Sequence, residues 1–153
     1  MKLTTTLNLL HKAEACTARY KVLRAALGVD YPMDAEISLR TILETNGIND
    51  ALWALRATAE DCKKVARLMS ADFAELSLPF WMKYYYPDDN RPALAIKAAR
   101  DFAAGLITKE DLAVARSAAR SAAESAARYA TWSAAWSAAW SAQAEVFKCY
   151  VTI

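Results

Sequence analysis

From Arg116 to Gln143 the chain is written in four-residue units, RSAA, RSAA, ESAA, RYAT, WSAA, WSAA and WSAQ, and neither Gly nor Pro interrupts the segment opened by Thr108 before the C-terminus. A run this rich in alanine and free of breakers has few options besides helix. Four residues at about 100° each overshoot one turn by about 40°, so the leading slot sweeps around the helix instead of marking one face. If Trp136 points inward, Trp132 and Trp140 flank it, while Arg120 lies about 160° away and meets water. On that phase Val114, Ala118, Ala122, Ser125 and Tyr129 extend the inward seam toward the N-terminus, and Phe147 and Tyr150 extend it the other way. No charged residue falls between Arg128 and Glu145, so something is expected to cover the stretch: the domain's own helices, a second copy of the chain or a partner protein. Core is the preferred reading, ahead of a partner or self-association surface. A membrane-surface or aromatic-ligand role ranks last, because an interfacial helix wants Lys and Arg opposite its aromatics and here that side is serine and alanine.

The remainder fits the same class. With 153 residues, 56% of them apolar, and only three Gly and four Pro, the expected fold is all-α: a single-domain helical bundle, with N-terminal helices over 1–105 and a long C-terminal helix over about 109–150. Leu9, Ala13, Cys16, Tyr20, Leu23 and Leu27 recur at helical spacing up to Gly28, predicting one helix. DAEISLRTILETNG (34–47) reads as a second, with Ile37, Ile42 and Leu43 inward, and Asn49 as the cap of a short third. TAED (58–61) has the form of a capping box ahead of a helix carrying Val65, Met69, Phe73, Leu76 and Phe80, which Pro79 is expected to kink or end. FWMKYYYP (80–87) is read as a distorted helix end in preference to a strand. PDDNRP (87–92) is a turn, with Asn90 or Asp89 capping the next helix and Pro92 in its first turn. That helix carries Leu94, Ala98 and Phe102 and stops at Gly105, after which Thr108 and Asp111 repeat the capping arrangement.

Nineteen Lys and Arg against seventeen Asp and Glu leave a net charge of +2, too balanced for an electrostatic grip on nucleic acid or an acidic membrane. Three widely spaced cysteines, Cys16, Cys62 and Cys149, fit reduced thiols packed in a core. The N-terminal MKLTTTLNLLHKAEAC imitates a signal peptide, but its threonines, Asn8, His11 and Lys12 break the apolar region. No apolar run approaches the roughly 18 residues of a membrane span, so a soluble cytoplasmic protein is expected. His11 is the single histidine; no multi-histidine metal centre, phosphate loop, GxSxG elbow or HExxH is present. Asp88 and Asp89 with Asn90 have the chemistry of a hard-cation site, but turn and capping duties explain them more simply. Lys97, Arg100, Arg116 and Arg120 are read as a solvated helix face before a phosphate-binding patch. No cofactor and no metal are expected.

TNGINDALWALRA (45–57), KYYYPDDNRPALAIKAARDFAAGLIT (83–108) and the following EDLAVARSAARSAAESAA resemble the Imm-5-like immunity proteins of bacteria and their phages, over roughly residues 41–143. The resemblance implies an all-helical intracellular protein that binds and neutralises a harmful protein. The expected function is therefore non-enzymatic: a phage-associated helical binder acting by stoichiometric occlusion, as an immunity protein or a counter-defence inhibitor of the anti-CRISPR type does. Its expected partner is a toxin or a host defence component, with a homodimer through the C-terminal helix as a further option. Candidate partner-binding residues are Tyr84, Tyr85, Tyr86, Asp88, Asp89, Arg116, Arg120, Arg128 and Trp132, since aromatics and arginine dominate interface energies. The alternative is a small-ligand or nucleotide-binding protein of the sponge type, using arginine on phosphate and aromatic rings on a base. A hydrolase built on helical carboxylates is the third and weakest reading.

Overall fold

The first described residues are not helical. The Leu39 N–H donates to the Leu3 carbonyl at 3.1 Å, and β1 (Thr4–Thr5) pairs antiparallel with β2 (Ile37–Ser38), Thr4 opposite Ser38 and Thr5 opposite Ile37. A computed structural model describes residues 3–84, 88–127 and 133–151, with 80, 81, 83, 84, 122–127 and 133–141 described by backbone alone. Apart from this two-stranded ladder, its regular structure is helical, so the fold is all-α as the composition predicts. The chain divides into two compact units, one of Met1–Lys63 with Ala144–Ile153 and one of Lys64–Gln143, where the sequence reading treats it as one domain.

In the first unit, Thr6 caps α1 (Leu7–Lys12) by accepting the Leu9 N–H at 3.1 Å. The single helix expected up to Gly28 is instead two, α1 and α2 (Thr17–Leu27). The break is a Schellman closure: the Glu14 N–H donates to the His11 carbonyl, the Ala15 N–H donates to Leu10, and Glu14 takes a left-handed φ of 61°. Such a closure normally uses glycine, so the sequence carries no signal for it. Two further boundaries move. The helix expected from residue 34 begins later, as α3 (Leu39–Asn46), because Ser38 accepts the Thr41 N–H at 3.0 Å and Ile37 is spent in β2. The next helix, α4 (Ile48–Ala54), starts from Gly47, so Asn49 lies inside it and does not cap it; a 3₁₀ turn (Leu55–Ala57) follows.

These short elements enclose an apolar core of Leu3, Leu7, Leu10, Leu23, Ile37, Leu39, Ile42, Leu43 and Ile48, completed by Phe147 and Val151 from the end of α8 (Ser133–Val151). Phe147 is fully buried, as the expected seam requires. The two buried threonines are satisfied: Thr4 donates its N–H and hydroxyl to the Glu60 carboxylate at 3.2 and 3.1 Å, and Thr5 donates to the Ala57 carbonyl. Buried polar groups without such partners would cost far more than the bonds return.

The second unit opens with α5 (Lys63–Tyr84). Its N-terminus is held by Asp61, which accepts the Lys63 N–H at 3.0 Å; Thr58, expected as the cap, turns its hydroxyl to the Glu60 and Leu55 carbonyls instead. Pro79 does not end α5, which runs on to Tyr84, so 81–84 are helical as preferred over a strand. α6 (Arg91–Ala103) has Pro92 in its first turn and closes on Gly105 in a second Schellman arrangement, with φ 77°. α7 (Lys109–Ala127) opens with the predicted reciprocal cap: Asp111 N–H to the Thr108 hydroxyl at 3.1 Å and Thr108 N–H to the Asp111 carboxylate at 3.0 Å. α6 and α7 pack on each other.

Candidate partner-binding surface

The phase of each helix decides which side chains meet water. Among the described side chains, the buried residue on α6 is Ile96 and on α7 it is Leu112. Leu94 and Val114 each sit two residues away, about 200° round the helix, on the opposite face. They are 52% and 71% exposed, and Leu106, in the connection between the helices, is 74% exposed. The expectation that Leu94 and Val114 face inward is thereby corrected. The inward line of α7 runs from Leu112 through the half-buried Ala115, Ala118 and Ala119, on a helix that packs on α6.

Beside these apolar groups, Arg116 and Arg120 stand exposed on α7, one turn apart. Lys97 and Arg100, read from sequence as possible members of the same basic face, are neutralised within the unit. Lys97 pairs with Asp101 at 2.5 Å, and Arg100 spans Asp72 at 2.6 Å and Glu75 at 2.5 Å on α5. Those bonds push the Arg100 pKa up, through Glu75 first and Asp72 second, and the Arg100 side chain holds the Glu75 carboxyl below its ordinary range. Arg67 lies over the Phe102 ring at 4.5 Å, a cation–π contact within the same unit. The Lys97–Asp101 pair is readable as an i, i+4 spacing; the Arg100 cluster and the Arg67–Phe102 contact join distant positions and have no sequence signature.

Asp88 is exposed in the turn before α6. Asp89 is engaged: its carboxylate accepts the Arg91 backbone N–H at 3.0 Å and the Arg91 guanidinium at 2.9 and 2.7 Å. The Arg91 side chain holds Asp89 below the usual carboxylate range, as the Thr108 hydroxyl does for Asp111. An acid so stabilised as its anion is a poor proton carrier near neutrality and a good cap. Asn90 occupies the cap position without a side-chain bond, so of the two expected caps Asp89 does the work. Among the described residues no group of three or more His, Cys, Asp and Glu side chains is placed to hold a metal ion.

Of the remaining expected contacts, Tyr84 closes α5 with its side chain outside the described residues, and Tyr85, Tyr86, Arg128 and Trp132 lie outside them entirely. So does 129–131, where the continuity of the tail is decided; Trp136 and Trp140 fall in α8 with backbone alone.

The cysteine expectation is corrected in part. Cys62 is buried, donating to the Leu55 carbonyl at 2.9 Å, but Cys16 and Cys149 are exposed. Cys16 precedes α2, where the backbone N–H groups of Arg19 and then Ala18 push its thiol pKa down. His11 is exposed with its ring edge-on to Tyr20 at 6.3 Å. No described helix is long and apolar enough to cross a membrane. Compared with known proteins, the chain matches no family model, no curated protein and no solved structure.

Proposed function

We propose that this protein is a non-enzymatic helical binder that neutralises a partner protein by stoichiometric occlusion, in the manner of an immunity or phage counter-defence protein. The observation that carries the reading is the exposure of three large apolar side chains, Leu94, Leu106 and Val114, on one helical hairpin that also presents Arg116 and Arg120. Large apolar groups left in water, with arginines nearby, are the raw material of interface anchors. The described carboxylates with shifted pKa values, Glu75, Asp89 and Asp111, are all moved toward the anion by a salt-bridging or capping partner. Structural duty accounts for each of them.

The partner class is a protein of the cytoplasm in which the chain is made, and the resemblance of residues 41–143 to immunity proteins supports a toxin or defence component in that role. Affinity purification of the tagged chain from its native cellular setting, followed by light scattering on the eluted complex, tests this. A partner at a fixed stoichiometric ratio is the expected result, and repeated recovery of the chain alone overturns it. A thermal-shift screen against nucleotides addresses the sponge alternative, since a tight small ligand raises the melting temperature of the isolated chain.

A further inference from the structure

Residues 28–36 connect α2 to β2, and within them Met33 is tied down at both its backbone and its sulfur. The Asn8 N–H donates to the Met33 carbonyl at 3.0 Å, and the Asn8 side chain donates to Asp34 at 2.6 Å. Arg24 donates through Nη1 to the Met33 sulfur at 2.9 Å and through Nη2 to the Val29 carbonyl at 2.7 Å; the Tyr20 hydroxyl lies 3.9 Å from the same sulfur. A cation and a hydroxyl are thus gathered around a thioether, which is a weak acceptor. Met33 is 36% exposed, whereas Met69 is 1% exposed.

We propose that Met33 is an oxidation site whose sulfoxide tightens the connection between α2 and β2 instead of loosening it. The co-reactant is a hydroperoxide, with hydrogen peroxide the simplest. A sulfur lone pair attacks one peroxide oxygen; the S–O bond forms as the O–O bond breaks, the sulfur gives up two electrons, and the departing hydroxide takes the proton of the transferred oxygen and leaves as water. Sulfoxide formation ordinarily damages packing because it puts a polar group among apolar ones. Here the new oxygen meets a guanidinium and a phenol, and charge-assisted bonds to an oxygen are stronger than those to a thioether. Three rotatable bonds let the methionine swing its S–O bond toward Arg24.

The test is peroxide titration of the full chain in a Met82→Leu background, which removes a methionine 41% exposed. Peptide mass mapping, melting temperature and amide exchange are read on the same samples. The expected result is Met33 oxidised while Met69 stays reduced, a melting temperature no lower than that of the reduced protein, and slower exchange of the Asn8 amide. In Arg24→Gln the same oxidation lowers the melting temperature. Met33 remaining reduced as long as Met69 overturns the proposal, as does a lower melting temperature or faster Asn8 exchange in the oxidised chain with Arg24 intact; those readings need no Arg24 variant to fold.

Discussion

Glu14 holds a left-handed backbone that an L side chain enters at a cost of about 1–2 kcal/mol. Glycine at that site removes the cost but adds unfolded-state freedom worth about 0.5–1 kcal/mol. Glu14→Gly is therefore expected to raise stability by about 0.5–1 kcal/mol, read as a higher midpoint in urea at unchanged slope. Cys16 makes a second residue-level prediction. Backbone N–H groups favour its thiolate, so the pH midpoint for alkylation of Cys16 is expected to lie below the ordinary thiol value of about 8.5. Buried Cys62 should remain unlabelled until the chain unfolds. The carboxylates give the third. Asp89 and Asp111 have folded pKa values depressed by Arg91 and Thr108. The stability they contribute is full above the unfolded carboxylate range, about 4, and is lost as pH falls through the lowered folded values. NMR titration is expected to place both carboxyls below the usual Asp range, and Arg91→Ala should return Asp89 toward it.

Helix ends are where sequence and structure agree best and also where they part. The Thr108–Asp111 cap and the stop at Gly105 are local patterns, four residues and one residue long, and both stand as read. Thr108→Ala should cost about 1 kcal/mol in thermal or urea unfolding. The α1–α2 break, the β1–β2 ladder and the late start of α3 were illegible for a shared reason: each depends on a partner distant in sequence or on a residue outside its usual role. Thr4 finds Ser38 across the chain, and Glu14 stands where glycine is expected. Local propensity carries no record of either. The phase of α6 and α7 was missed because periodicity fixes which residues share a face, while the neighbour that packs decides which face is inside. At the other end of the chain, Phe147 is fully buried in the first unit. Phe147→Ala is expected to cost about 3–5 kcal/mol by calorimetry, a large share of a domain's stability.

At the scale of the molecule, both units leave large apolar side chains in water: Val29, 80% exposed, in the first, and Leu94, Leu106 and Val114 on the α6–α7 hairpin of the second. Of the residues expected from sequence to touch a partner, Asp88, Arg116 and Arg120 are exposed, and Asp89 binds Arg91. Leu94, Leu106 and Val114 were not on that list, since a hydrophobic residue read from sequence is assigned to the core by default. Recognition through the hairpin is the central claim, and it is tested most directly by quantitative capture from the native cellular setting with the wild-type chain and with a Leu94→Asp, Leu106→Asp, Val114→Asp triple variant. The predicted result is a stoichiometric protein partner on the wild type and at least a tenfold loss on a triple variant whose circular dichroism and melting temperature are unchanged. Full retention of that partner by the folded triple variant, or no partner on the wild type, would contradict the claim.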